Sequence, residues 1–338
     1  MVRWRKALVV CLALAGVLFT SFASAATAPA PTQPSTAPTA PTGTKLYQDL
    51  PVTHWAYADV LKLNQAGVLK VDKTGLFRPD QPVTRAELFK MVLAARRMDA
   101  GTRCLGLFTD VPCWAWYAPV VETAYRMGIA EGKGSGKFMP DSPVSRQELF
   151  TVVERSLGRR WEAANLADST IDQQLAHFDD GGQIADWARP SVALAISGSI
   201  TQGYDDGTFR PARLTTRAEA AAVVARILLS TDGLTAIQVD GRNVYFRQSL
   251  DLTASMFATG EDGVGTQTYT GLTVRPGTVA VDPNVIPLGH LLYVEGYGYA
   301  IAADIGGGIK GNRIDLYSPS MAEAEGFGIE HLRVWVLP

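Results

Sequence analysis

Charge of one sign is what this sequence most plainly lacks. Its 31 Lys and Arg face 33 Asp and Glu, for a formal net charge of −2. No cationic excess is therefore available to neutralise a phosphate backbone, and nucleic acid is not an expected partner. Cysteine and histidine are scarce, at three and four residues without clustered spacing. That scarcity excludes a dense disulfide scaffold and a zinc-finger pattern. A mean hydropathy of +0.05 is too low for a chain with many membrane spans. What is present is 338 residues, 47% of them hydrophobic, enough for two or three units with real cores at roughly 100–200 residues per domain.

The N-terminus reads as an address. Arg3, Arg5 and Lys6 precede an apolar run from Ala7 to about Phe19, followed by Ala23-Ser24-Ala25. A basic start, a short apolar run and small residues at a cleavage point define a secretory signal peptide over residues 1–25. The mature chain is then secreted, and nothing in it calls for a membrane. Residues 26–44, almost wholly Ala, Thr and Pro, have no hydrophobic period and are expected to form an extended linker. Export leaves Cys104 and Cys113 in an oxidising compartment. Whether they are bridged or are two buried thiols is open, since spacing does not fix geometry.

An internal repeat follows. Trp55, Trp116 and Trp187 each precede an Arg (Arg85, Arg146, Arg217) by 30 residues, and Phe77, Phe138 and Phe209 lie 22 residues after each Trp. Between Trp and Phe runs a helical pattern, as in Val60, Leu61, Leu63 and Val68, ending near Gly67, Gly128 and Gly198. A second helix then starts at Thr84-Arg85-Ala86-Glu87, Ser145-Arg146-Gln147-Glu148 and Thr216-Arg217-Ala218-Glu219. These are capping boxes, in which hydroxyl and Glu satisfy each other's backbone amides. The box explains the hydroxyl and the Glu but not the Arg, a cation at a helix end that disfavours cations. Two readings stand: three cations poised for an anion, or Arg bridging to a neighbouring carboxylate. The Trp residues are equally open to a core or a ligand-facing role.

With Tyr47-Gln48-Asp49 and Phe108-Thr109-Asp110 at the repeat starts, and Phe77-Arg78-Pro79-Asp80 before the box, residues 46–230 resemble the S-layer homology family. The repeats fall at 45–100, 104–160 and 174–230. The resemblance implies an all-α pseudo-threefold unit that grips a secondary cell-wall polymer, typically acidic and pyruvylated. By position Arg85, Arg146 and Arg217 would hold the polymer, with Trp55, Trp116 and Trp187 nearby. The second repeat departs from the others at Ser145, Gln147 and Met139, so three unequal grooves are expected.

From about Thr231 the composition turns to Gly, Thr, Val and Tyr, with 231–249 expected as a linker. Beyond it, short strands are predicted at 278–281, 291–295, 299–303, 313–317 and 333–337, separated by Pro283-Asn284, Gly296-Tyr297-Gly298 and Gly306-Gly307-Gly308. Many short strands in under 100 residues predict a small all-β closed barrel. Strand alternation sorts three aspartates away from bulky aliphatics. Asp282 shares a face with Ala280, Asp304 with Ala300 and Ala302, and Asp315 with Arg313 and Tyr317. The Ala-lined faces would leave room for a ligand. A turn-forming role remains open, most of all for Asp282 before Pro283.

The runs Gly277-Thr278-Val279-Ala280-Val281-Asp282-Pro283, Ile286-Pro287-Leu288-Gly289, Ala303-Asp304-Ile305-Gly306-Gly307 and Ile309-Lys310-Gly311-Asn312-Arg313-Ile314-Asp315 resemble the three-aspartate (3D) domain. That module is found in the lytic transglycosylase A type and in stationary-phase-survival muralytic enzymes. It implies a double-psi β-barrel over 250–338 that cleaves the MurNAc–GlcNAc bond of peptidoglycan without a metal. The family aspartates fall on Asp282, Asp304 and Asp315, with Asp315 at the position of the catalytic acid. Lys310 and Arg313 are candidates for substrate contacts or for solvated surface charge. Three other outcomes are weighed: a hydrolase using water, a non-catalytic wall-binding or S-layer-associated protein, and an expansin-like or glucanase barrel acting on cellulose. The expected location is the cell wall or S-layer.

Overall fold

A computed structural model describes residues 46–102, 104–260 and 264–338. The expected signal peptide (1–25) and N-terminal linker (26–44) lie outside the described residues. Helices fill the first part: α1 (Tyr57–Gln65), α2 (Arg85–Ala95), α3 (Ala118–Arg126), α4 (Arg146–Ser156), α5 (Arg160–Ala164), α6 (Asp168–Leu175), α7 (Arg189–Ser197) and α8 (Arg217–Arg226). Each repeat contributes a helix after its Trp (α1, α3, α7) and one after its capping box (α2, α4, α8). All three boxes form, with Thr84, Ser145 and Thr216 as N-caps; losing such a cap costs about 1 kcal/mol. The helices α5 and α6, between the second and third repeats, were not expected from the repeat pattern.

The aspartate that opens each repeat has a backbone task. Arg78, Met139 and Arg210 adopt left-handed conformations, with φ of 59°, 59° and 57°, which cost a side-chain-bearing residue of order 1 kcal/mol or more. Asp49 accepts the amides of Phe77 and Arg78, both at 2.7 Å. Asp110 does the same for Phe138 and Met139, and Asp180 for Phe209 and Arg210. Two charge-assisted bonds per turn offset that strain.

A ring of backbone hydrogen bonds joins the repeats. Val83 N donates to Thr215 O (2.9 Å), Thr215 N to Val144 O (2.9 Å), and Val144 N to Val83 O (3.1 Å). The first two amides of α2, α4 and α8, which a helix cannot satisfy itself, donate to carbonyls of the next repeat in the ring: Arg85 and Ala86 to Ser142 and Pro140, Arg146 and Gln147 to Arg213 and Pro211, Arg217 and Ala218 to Gln81 and Pro79. Cys104 and Cys113 are bridged, at the start of the second repeat.

The second part holds β1 (Thr235–Val239), β2 (Arg242–Phe246), β3 (Gln248–Ala258), β4 (Thr278–Val281), β5 (Leu291–Val294), β6 (Gly298–Asp304), β7 (Arg313–Ser318), α9 (Met321–Phe327) and β8 (Glu330–Val336). Six strands close a barrel in the order β3-β7-β4-β6-β5-β8. The stretch expected as a linker at 231–249 instead carries the β1–β2 hairpin and the start of β3. Its turn is Asp240-Gly241, both at positive φ (49° and 73°), between Val239 and Arg242 paired in register. An Asp-Gly pair suits the twist of a two-residue hairpin, so the signal was in the sequence.

The barrel interior is aliphatic, with Leu252, Val279, Leu292, Ala302, Ile314 and Val334 fully buried. Its outer wall is not all solvent-facing. Tyr293, Tyr299, Ile301 and Trp335 belong to the same buried cluster as the repeat helices. Repeats and barrel therefore share a continuous hydrophobic seam. Along it Arg126 Nη2 donates to Tyr297 O at 2.6 Å and Arg96 Nη2 to Pro338 O at 2.6 Å. Among the described residues no helix is long and apolar enough to cross a membrane.

Candidate functional site

The three aspartates gather on adjoining strands around one small residue. In the β4–β7 ladder Asp315 lies opposite Ala280, and in the β4–β6 ladder Asp304 lies opposite the same Ala280. Two strand spacings put the backbones of Asp304 and Asp315 about 10 Å apart, with only a methyl group between. Asp282 follows two residues after Ala280; by continuation of the ladder it is a diagonal neighbour of Asp315, at about 7–8 Å. On β3, Ser255 lies opposite Asp315, and its Oγ donates to Asp315 Oδ1 at 2.7 Å. The neighbours Val279, Val281, Ile314 and Leu316 fill the barrel interior, so alternation turns Ala280, Asp282 and Asp315 to the outer wall.

The expectation for Asp304 is corrected in one respect. Ala300 and Ala302, thought to leave room for a ligand, are packed in the barrel core. A register shift at the end of β6 passes over Ala303 and sets Asp304 level with Ala280. A bulge of this kind re-aims a side chain at a sheet edge, and strict alternation cannot foresee it.

Each carboxylate has its own environment. Asp282 is buried (8% exposed); it accepts the Gly311 amide at 2.8 Å and the Asn284 amide and side chain at 3.0 Å. The Gly311 amide first, and Asn284 next, hold its carboxyl below the usual carboxylate range. Its turn-forming role is real, since the amides of Val285 and Ile286 also donate to its carbonyl. Asp304 Oδ1 accepts the amides of Tyr269 and Ile305, both at 2.9 Å. Lys310 and Arg313 are exposed on the segment leading into β7. No cluster of three or more His, Cys, Asp or Glu among the described residues could hold a metal ion.

In the repeats, the box arginines cross into the next repeat. Arg85 donates to Phe138 O (3.0 Å) and Glu131 O (2.9 Å), Arg146 to Thr201 Oγ1 (3.0 Å), and Arg217 to Phe77 O (2.7 Å). Arg217 also pairs with Glu87. Their guanidinium groups lie over aromatic rings: Arg85 over Phe138 at 4.5 Å, Arg146 over Tyr204 at 4.6 Å, Arg217 over Phe77 at 5.2 Å. The arginines thus hold neighbouring repeats together, and two of them, Arg85 and Arg146, also line cavities. One cavity, of about 270 Å³, is lined by Arg85, Lys133, Glu148, Arg155 and Trp187. Another, of about 650 Å³, is lined by Arg146, Tyr204, Glu219, Arg226 and Trp55. Lys90 lies 4.9 Å over the ring of Trp116. Trp55, Trp116 and Trp187 are 62%, 54% and 53% exposed, which removes them from the core.

The first cavity pairs three cations, Arg85, Lys133 and Arg155, with two carboxylates, Glu131 and Glu148. Burial, and after it the neighbouring Arg160, pushes Arg155 down to about 9. Burial alone would raise the Glu131 carboxyl, but Arg275 and Arg160, at 2.7 and 2.8 Å, outweigh it and hold it low. Arg275 belongs to the barrel, so an ion pair links this groove to the segment leading into β4.

Family models match this arrangement in two places. The S-layer homology domain matches residues 47–89, 107–150 and 177–221, and the 3D domain matches residues 277–338. The chain carries S-layer homology repeats and a 3D domain. The repeats make it a cell-wall- or S-layer-associated surface protein. The cell wall-binding protein YocH of Bacillus subtilis (strain 168) is 42% identical over 106 residues, 30% of this chain and 37% of that protein. The cellulosome-anchoring protein of Acetivibrio thermocellus is 30% identical over 166 residues, 48% of this chain and 36% of that protein. The chain thus spans well under half the length of either relative. The solved structure of MltA from Escherichia coli aligns with a TM-score of 0.19, at 25% identity over 23% of this chain and 29% of that one, an overlap too slight to bear on the fold.

Three residues at these sites, Ser255, Glu131 and Arg275, were not singled out by sequence reasoning. Ser255 stands in β3, outside the 277–338 match, and only the strand pairing identifies it as the partner of Asp315. Glu131 and Arg275, 144 residues apart, become neighbours only through the seam between repeats and barrel.

Proposed function

We propose that this protein is a secreted, wall-anchored lytic transglycosylase: the 3D domain cuts the MurNAc–GlcNAc bond of peptidoglycan while the S-layer homology repeats hold the enzyme to an acidic, pyruvylated wall polymer. The observation that carries the reading is the set of three aspartates on adjoining strands around Ala280. In this reading the barrel is of the double-psi kind and the repeats form a pseudo-threefold unit, with boundaries near those of the sequence analysis.

Asp315 acts as acid and then as base. Its carboxyl proton passes to the glycosidic oxygen as the C1–O bond breaks, with the electron pair leaving on that oxygen. The resulting carboxylate takes the proton of the muramyl C6 hydroxyl, whose oxygen bonds to C1 and closes a 1,6-anhydro ring. Asp315 ends protonated, and no water is consumed. The Ser255 hydrogen bond fixes Oδ1 and favours the charged form, which assists the second half of the cycle. Ionised Asp282 nearby opposes a second negative charge and so assists the first half. Asp304 orients the sugar or tunes the acid, and Lys310 and Arg313 contact the substrate.

In the repeats, Arg85, Arg146 and Arg217 with Trp55, Trp116 and Trp187 supply three unequal grooves for the polymer. Support comes from cations lining cavities with an exposed Trp at the rim. The test is turbidity loss of purified sacculi. Wild type should clear them, and Asp315→Asn should sediment with walls but leave them intact. A variant that clears walls at the wild-type rate contradicts the assignment.

A further inference from the structure

We propose that Trp161 and Tyr269 form a glycan-binding platform on the Asp304 side of the cleft, so that a helix inserted between two repeats shapes the barrel's substrate site. The proposal rests on the reading of that cleft as glycan-cleaving. Trp161 lies on α5, outside all three repeat matches, and Tyr269 lies in the loop between β3 and β4. Their ring centroids are 5.6 Å apart, tilted by 42°.

Both rings are mounted on the end of β6. Tyr269 N donates to Asp304 Oδ1 at 2.9 Å, and the next amide, Thr270 N, donates to Ala303 O at 3.0 Å. On the other side, Gly289 N donates to Ala302 O at 2.8 Å. At Gly289 an added Cβ would stand 3.0 Å from Trp161 Cβ and 3.1 Å from Gly158 O, at a φ of +87°. Glycine there lets α5 approach the barrel closely enough to present the indole.

The platform is open. Tyr269 is 57% exposed, and Ile305, whose amide shares Asp304 Oδ1, is 38% exposed. Exposed aromatic surface next to a carboxylate row is an informative departure from ordinary burial. N-acetylated sugars linked β-1,4 present flat faces of C–H bonds, whose positive edges suit the negative faces of aromatic rings. The occupant is a glycan strand running from the platform, past Asp304, toward Asp315.

The test uses the full chain carrying Asp315→Asn, which binds without cutting, and a hexamer of β-1,4-linked N-acetylglucosamine as probe, read by calorimetry. Trp161→Ala and Tyr269→Ala should each weaken binding about tenfold, the weight of one aromatic contact. Trp161→Phe should restore most of it. In the cutting-competent chain the same alanine changes should raise KM on sacculi with kcat little changed. Hexamer that fails to bind, or binds equally well to Trp161→Ala, overturns the platform. So does weakened binding that follows a fall in Tm and is not restored by Trp161→Phe. Trp161-dependent binding in a chain that never cleaves sacculi would sustain the platform and remove the lytic reading. Cleavage with an unchanged KM in Trp161→Ala would do the reverse.

Discussion

The repeats and the barrel use charge in opposite ways. In the repeats, arginines are stacked on rings and donate to carbonyls or a threonine hydroxyl of the neighbouring repeat, so each cation serves folding as well as any ligand. In the barrel, Asp304 and Asp315 stand on the outer wall away from the aliphatic interior, and the hydrogen bonds described for them involve no arginine and no repeat residue. Loss of a box arginine should therefore damage structure and binding together. Loss of the Asp315 carboxyl should damage chemistry alone, whereas Asp282 and Asp304 also hold backbone amides.

The largest effect that would break this comparison is at Asp315. Asp315→Asn is nearly isosteric but cannot donate a proton, and the loss of a general acid costs about 10²–10⁴-fold in rate. Initial rates of fragment release should fall by that factor while Tm and wall sedimentation stay unchanged.

Next in size is the seam. Gly277 has a φ of +99°, and a Cβ there would stand 2.4 Å from Arg126 O. Gly277→Val forces a backbone shift and should cost on the order of 2–4 kcal/mol. Calorimetry should then resolve the repeats and the barrel as separate melting steps where the wild type shows one.

A smaller effect concerns Glu154, fully buried on α4. Arg159 Nη1 stands 3.0 Å away, yet neither carboxyl oxygen has a hydrogen bond. Burial pushes its pKa up to about 7 despite Arg159. A carboxyl raised on folding is stabilising below its unfolded pKa, and that contribution is lost as pH rises through the folded value. Stability from this site should thus decline between about pH 4.5 and 7. Glu154→Gln should flatten the decline and gain roughly 2–3 kcal/mol at pH 8, read from denaturant melts at both ends of the range.

The smallest changes sharpen the comparison within the repeats. Trp55→Ala, Trp116→Ala and Trp187→Ala remove exposed rims and should leave Tm nearly constant. Each should weaken wall sedimentation by a few-fold, and unequally, because Arg155 and Lys133 line only the Trp187 cavity. Arg85→Ala should lower both Tm and sedimentation, separating a staple from a rim.

Much of this was legible in the sequence because it is local. The capping boxes, the three Trp–Phe–Arg spacings and the strands at 278–281 and 313–317 follow from short-range pattern. The Asp-Gly turn at 240–241 is equally local, although the change in composition around it resembles that of a linker. The remainder depends on tertiary contact. Bulged pairing at Asp304, Ser255 opposite Asp315, Arg85 reaching Phe138 and the Trp161–Tyr269 pair join residues that no spacing rule connects. The burial of Ala300 and Ala302 likewise depends on closure of the barrel, which turns that face of β6 to the interior.

The most direct test of the central claim is mass spectrometry of the fragments that the wild-type chain releases from purified sacculi. A lytic cut by Asp315 predicts muramyl ends in the 1,6-anhydro form, lighter by one water than a hydrolytic product. Reducing muramyl ends would replace the lytic mechanism with hydrolysis, and the absence of any released fragment would leave a wall-binding protein rather than an enzyme.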